Sequence, residues 1–267
     1  MRRAATRRAG VLAYTPRSRE YIRRVLRALG HSPLVFTNID EFMAFGSGAS
    51  TLDLMVLGDA PDTDSQGRAV VACALDAIGP DVPMLQVPMH KGGRPIRRRA
   101  DARGAVVASP HFFSDLFRVI LGFLDSLGFT STPHLLVWDR YAFHPIERTV
   151  SFGAEQLTLD PVDLDVALEL FYSAGRPVAR RWLTRMLPTG EHGANWHRID
   201  NLACTIDEIR VALQLDGAHG WTLEALPGDA YRLASPPRRA AHPSLVRVPV
   251  EASPERLRGT APMPEPG

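Results

Sequence analysis

The densest run of chemistry-bearing residues is His90 to Arg103, HKGGRPIRRRADAR. Lys91, Arg94, Arg97, Arg98, Arg99 and Arg103 stand against Asp101 alone, a net charge of +5 in 14 residues. Such a run suits an anionic ligand, an acidic partner face or a DNA backbone, and equally a solvated loop. Five histidines of the second half, His134, His144, His192, His197 and His219, fall at no metal-ligand spacing, so they read as structural or surface groups. Cys73 and Cys204 are the only cysteines, which excludes a disulfide framework and a Cys-rich zinc site. Cys204 falls near a helix core and reads as a packed thiol. Trp138, Trp182, Trp196 and Trp221 read as core or interface anchors. No phosphate-binding glycine loop, nucleophile elbow, HExxH run or paired-carboxylate arrangement occurs. The expectation is a protein that is not an enzyme, with no catalytic residue, metal or cofactor.

The elements that must position these residues divide at about residue 130. In the first half, Val11-Leu12-Ala13-Tyr14, Leu34-Val35-Phe36, Leu54-Met55-Val56-Leu57, Met84-Leu85-Gln86-Val87 and Ala105-Val106-Val107-Ala108 read as strands. Amphipathic stretches separate them: Arg17 to Leu29 before Gly30, Ile39 to Phe45, and Phe112 to Leu127 at the close. Unbroken apolar strands alternating with helices predict an α/β fold with a five-stranded parallel sheet covered on both faces. The second half opens with short alternating runs that predict a small antiparallel sheet. A helix follows, with Asp160 as N-cap and Pro161 at its first position. Val178 to Leu183 opens a second helix, and Trp196 to Leu215 predicts a third. Trp221 to Leu233 predicts a hairpin around Pro227-Gly228-Asp229.

The 267 residues carry a net charge of +2, which disfavours a strongly basic nucleic-acid binder on bulk charge. The charge is unevenly spread. Residues 1–10 carry +4, and residues 236–267 carry five Arg and three Glu among many prolines. Both ends read as disordered arms. Residues 134–235 carry nine Arg and fourteen Asp or Glu, a net of −5. No apolar run approaches membrane-span length and no long apolar segment follows the basic start, so the chain reads as cytoplasmic, with no membrane partner. The expected organisation is a basic arm (1–10), an α/β domain (11–128), a linker (129–133), a second domain (134–235) and a Pro/Arg-rich tail (236–267).

Five β-α units in the first half resemble the receiver domain of two-component response regulators, a flavodoxin-like fold. In that family an acidic pair follows the first strand, a phospho-acceptor aspartate the third, a hydroxyl residue the fourth and a lysine the fifth. The aspartates hold Mg²⁺ and the lysine meets the phosphoryl group. Here the corresponding positions are Ala13 and Tyr14, Gly58, Val87 or Pro88, and Ser109. Asp59 and Asp62 lie nearby as candidate substitutes, but without an acidic pair neither has an evident way to hold the metal. The resemblance therefore implies a pseudo-receiver that has lost phosphotransfer. The basic run would cover its fourth helix, on the face often used for dimerisation.

The second half resembles the winged helix-turn-helix effector domain of OmpR/PhoB regulators. LDPVDLDVALEL is similar to the family's first helix, and Gly175 with VARRWL to its second. LACTIDEIRVAL is similar to the recognition helix, and LEALPGDAYRL to the wing, with Tyr231-Arg232-Leu233 intact. The family places its third helix in the major groove and its wing toward the minor groove. Carried over, the exposed positions of the third helix are Arg198, Asn201, Thr205, Glu208 and Arg210. Asn and Thr suit base edges, and Arg suits phosphate or guanine. Arg180, Arg181 and Arg185 suit phosphate, as does Arg232 on the wing. Asp207 and Glu208 depart from the pattern, as do Pro227 and Ala230 in the wing. The resemblance implies a phosphorylation-independent transcription regulator that dimerises and binds repeats in double-stranded promoter DNA. The net −5 leaves open an interaction module that docks on RNA polymerase or on another regulator. A third reading is a ligand sensor using the vacated acidic pocket.

Overall fold

Apolar strands without a polar face carry side chains for both sides of a sheet, and both sides are covered in the computed structural model, which describes residues 7–89, 106–129, 134–186, 202–234 and 244–247. Strands β1 (Arg8–Ala13), β2 (Ser32–Phe36), β3 (Leu54–Gly58), β4 (Met84–Val87) and β5 (Val106–Val107) form one parallel sheet in the order β2-β1-β3-β4-β5. This is a doubly wound order with a crossover between β1 and β3. Ala9, Val11, Leu54, Val56 and Leu85 pack on the side of helices α1 (Pro16–Ala28) and α4 (Phe113–Ser126). Leu12, Met55, Leu57 and Met84 pack on the opposite side, against α2 (Ile39–Ala44) and α3 (Val70–Ile78). The period-2 alternation of a strand thus serves two cores at once. Helix α1 starts where Thr15 accepts from the Ser18 N–H and Pro16 fixes the first turn, and Gly30 at φ 85° turns the chain after it.

Strands β6 (His134–Trp138), β7 (Tyr141–His144), β8 (Thr149–Phe152) and β9 (Glu155–Thr158) form an antiparallel meander. Then come α5 (Pro161–Tyr172), β10 (Pro177–Ala179), α6 (Arg180–Met186), α7 (Leu202–Ala212) and the hairpin of β11 (Thr222–Leu226) with β12 (Ala230–Ala234). β10 joins that hairpin in the order β10-β12-β11, which makes the three-stranded wing of a winged helix. Phe171 of α5 ties the layers together. Its ring lies 5.4 Å from Trp138, 4.9 Å from Phe143 and 5.2 Å from Trp221, centre to centre.

Three expectations change. Residues 8–10 belong to β1, paired to residues 32–34, and not to a basic arm. Residues 177–179 are a strand that hydrogen-bonds to β12, so the second helix starts at Arg180; the ladder overrides local helix propensity. Within the supposedly unstructured tail, β13 (Ser244–Arg247) pairs antiparallel with β6 at the margin of the meander. The basic run His90 to Arg103 with its expected helix, and the linker residues 130–133, lie outside the described residues. No helix among the described residues is long and apolar enough to cross a membrane.

The two halves share one core, and α5 is its hinge-pin. Every residue from Val162 to Phe171 is buried, including Asp163, Asp165 and Glu169. Arg17, Tyr21 and Arg24 lie at helical spacing on one face of α1 and meet Asp165 and Glu169, one turn apart on α5. Arg17 Nε donates to Met186 O (2.8 Å), Nη1 to Met89 O (3.1 Å) and Nη2 to His111 O, with Nη2 3.8 Å from Asp165 Oδ2. Tyr21 also donates to Met186 O (3.1 Å). Arg24 Nη1 donates to Glu169 Oε2 at 2.6 Å.

Arg17→Ala removes a donor from three carbonyls, of which Met186 O keeps Tyr21, together with a buried ion-pair partner, and is expected to lower stability by about 3–5 kcal/mol in urea unfolding. Lysine, which lacks the planar fork, is expected to restore little of it. Burial lifts the Asp165 carboxyl to about 7, outweighing the pull of Arg17 and of the Phe113 N–H. Unfolded, it titrates near about 4, so between these values the native chain holds a proton that the unfolded chain lacks. Its stabilisation is therefore full below about 4 and is lost as pH rises to about 7. The urea midpoint of Asp165→Asn is expected to gain on the parent's between about pH 5 and about pH 8; parallel pH profiles would show that Asp165 does not titrate in that window.

Candidate nucleic-acid interface

Helix α7 buries Leu202, Thr205, Ile206 and Ile209 and exposes Cys204, Asp207, Glu208 and Val211. Thr205, expected at a base edge, is 1% exposed, because its three-residue spacing from Leu202 puts it on the aliphatic face. It belongs to the packing of the helix and not to its outer face. Cys204 is exposed and not packed. Arg210 is half-turned into the fold. Its Nε donates to Leu223 O at 3.0 Å and its Nη1 to Asp207 Oδ1 at 2.6 Å, so it braces α7 against β11. Arg198 and Asn201, with the first residues of the expected Trp196 to Leu215 helix, lie outside the described residues.

Helix α6 supplies the arginines that face outward. Arg181 and Arg185 are exposed. Arg180 is tied to the wing tip: its N–H donates to Asp229 O at 2.9 Å, and its Nη1 lies 3.8 Å from Asp229 Oδ1. The tip turns on Gly228 at φ 82° and Asp229 at φ 56°, both left-handed. Arg232 sits directly across from Glu224 and donates to it through Nε (3.1 Å) and Nη2 (2.6 Å). In this state Arg232 is a cross-strand partner, and a phosphate would have to draw it off that carboxylate. The structure thus sets Arg180, Arg181 and Arg185 on α6, with Arg180 held to the wing tip, Arg232 on β12 against Glu224, and Asp207 and Glu208 on the outer side of α7.

The crevice at the carboxyl ends of β1 and β3, where a receiver does its chemistry, is closed. Ala13 is fully buried. The Ile39 N–H donates to the Tyr14 hydroxyl at 3.0 Å. Gly58 lies so close to α1 that a Cβ on it would stand 2.6 Å from Ile22 Cδ1 and 3.1 Å from Ser18 Cβ. Asp59, at φ 39°, accepts from the Thr15 hydroxyl (2.7 Å) and from the Met89 N–H (2.6 Å). It staples the loops after β1 and β4 with both oxygens engaged. Asp62 is exposed, and Pro88 and Ser109 are partly buried. Among the described residues no group of three or more His, Cys, Asp and Glu is placed to hold a metal.

Sequence reasoning missed the seam residues Arg17, Arg24, Asp165 and Glu169. The available signal was charge where the helical pattern asks for core: Arg17 and Arg24 in line with Tyr21, and two acids inside VDLDVALELF.

No protein-family model and no curated protein matches the chain. Among solved structures, the response regulator DrrB of Thermotoga maritima, an OmpR/PhoB homologue, is 15% identical over 86% of this chain and 100% of its own, at a TM-score of 0.33. A streptococcal structure, described as one of a family of redox sensors evolved from two-component response regulators, is 13% identical over 85% and 99%, at 0.32. The DNA-binding domain of Klebsiella pneumoniae RstA, in complex with its box, is 22% identical over 38% and 96%, at 0.30. At these scores neither fold nor function carries across, and the architecture rests on the strand orders and contacts described above.

Gly58→Ala is expected to destabilise the chain by about 1–3 kcal/mol through overpacking against Ile22, measured by urea unfolding. Gly58→Asp is expected to cost more and to restore no phosphotransfer. Wild-type stability in either variant would mean that α1 yields easily at this crevice.

Proposed function

We propose that the chain is a DNA-binding transcription regulator of the OmpR/PhoB type that works without phosphorylation of its first half. The observation that carries this reading is the winged helix itself. α6 and α7 accompany a β10-β12-β11 wing; α6 carries Arg180, Arg181 and Arg185, with Arg180 tied to the wing tip, and β12 carries Arg232. A helix and a wing so placed suit a major groove and its flanking phosphates. The base-reading residues of this proposal are Arg198 and Asn201. Arg210 acts by holding α7 to β11.

Independence from phosphate is supported by the crevice. A side chain at Gly58 would displace the Cδ1 tip of Ile22 and crowd Ser18, and Asp59 is held by two donors. The regulator would act in the cytoplasm as a homodimer on direct or inverted repeats, with half-sites about one helical turn apart. A second reading has its own support. Asp207 and Glu208 face outward, and residues 134–235 carry a net of −5, which suits a module that docks on RNA polymerase or on another regulator.

Gel shifts with promoter fragments enriched by genome-wide occupancy separate the two. For the regulator, Arg181→Ala with Arg185→Ala is expected to weaken binding to all sequences and to lower the salt slope by about two. Asn201→Ala is expected to relax specificity. Occupancy indifferent to all three changes would favour the docking module. Incubation with acetyl phosphate is expected to leave the intact mass unchanged; a phosphoryl adduct at Asp59 would overturn the phosphate-independent reading.

A further inference from the structure

A cavity of about 600 Å³ opens on the seam between the halves, walled by α1 on one side and by the end of α5, β10 and α6 on the other. Its charge is one-sided, because four arginines and two glutamates line it. Both acids already have cationic partners. Glu20 is ion-paired with Arg23. Glu169 accepts from Arg24 at 2.6 Å and from Trp182 Nε1 at 2.7 Å. Arg27 and Arg176 are exposed, one on α1 and one between α5 and β10, and they set the sign of the opening.

The interior is aromatic. The Arg24 guanidinium lies 4.1 Å from the centre of the Tyr172 ring, and Trp182 stands beside Glu169. Arg24 is 7% exposed; its Nε has no hydrogen-bond partner and lies 3.9 Å from Glu20 Oε2. A buried cation stacked on one ring and bonded to a carboxylate that also holds an indole is a preorganised wall. The volume falls in the range of small-molecule sites and far exceeds what an inorganic anion fills.

We propose that this cavity is a binding site for a small organic anion with a planar or aromatic body, its acidic group held by Arg27 and Arg176 and its body lying against Trp182 and the Arg24–Tyr172 stack. The site is separate from the crevice after β3, which Ile22 and Asp59 close. Because opposite walls belong to opposite halves, an occupant adds contacts across the seam and steadies α6 relative to α1. Binding itself does not depend on the DNA-binding reading.

The probe is 1-anilinonaphthalene-8-sulfonate, titrated by fluorescence into the full chain without DNA. Its uncharged analogue N-phenyl-1-naphthylamine serves as the control for plain apolar surface. The expected result is saturable binding of the sulfonate at one site per chain, at least tenfold tighter than the analogue. Arg27→Glu with Arg176→Glu is expected to weaken sulfonate binding at least tenfold while the unfolding midpoint holds. The milder Arg27→Gln with Arg176→Gln is expected to give an intermediate loss. Absence of sulfonate binding, equal binding of the two probes, or wild-type binding by the charge-reversed chain would each overturn the proposal.

Discussion

One guanidinium holds the molecule together. Arg17 reaches carbonyls from three separate places: the end of β4, the approach to α4 and the end of α6. Its planar fork suits this work, since its donors diverge at fixed angles and cannot lose their charge. The bonds to Met186 O and Met89 O are buried and so count for more than on a surface; Tyr21 shares the first of these acceptors. The parallel sheet and the winged helix are held against each other by this group, by the Arg24–Glu169 pair beside it and by the apolar core the two halves share.

Helix α5 shows why such charges are tolerated. It is enclosed on every side: Phe171 meets the meander and the wing, while Asp165 and Glu169 meet α1. A helix apolar all round would pack as well but would specify no orientation. Two acids one turn apart facing two arginines two turns apart set a register, as polar groups in otherwise apolar interfaces do elsewhere. The Arg24–Glu169 pair also lines the seam cavity, so the joint between the halves and the pocket share these two side chains.

Much of this was legible in the residues. Unbroken apolar strands gave the two-faced parallel sheet, because no polar face was available for solvent. The run from Pro161 and the closing hairpin were placed by the proline at the first turn and by Gly228-Asp229. Less could be read where a residue's partner is distant in sequence. Thr205 looks like a reading residue by type, yet its spacing from Leu202 and Ile209 puts it inside. Arg210 and Arg232 look like phosphate ligands, yet each has an acidic neighbour at short range, Asp207 three residues away and Glu224 across the strand. Residues 177–179 resemble the start of a helix until β12 offers a ladder. Gly58 could be read as a missing acceptor, but only the packing of Ile22 and Ser18 shows how little space is left beside it.

Strand β13 changes the character of the meander. Without it, β6 would be an outer strand presenting a row of unsatisfied amides and carbonyls to any other extended chain. With residues 244–247 laid along it, that margin is occupied by the chain's own later segment. The outer edge of the sheet thereby passes to a four-residue strand that lies in sequence between Pro243 and Pro249, and so short an edge with prolines at both ends is a poor template for another chain, a use that composition alone would never have assigned to a stretch so rich in proline and arginine.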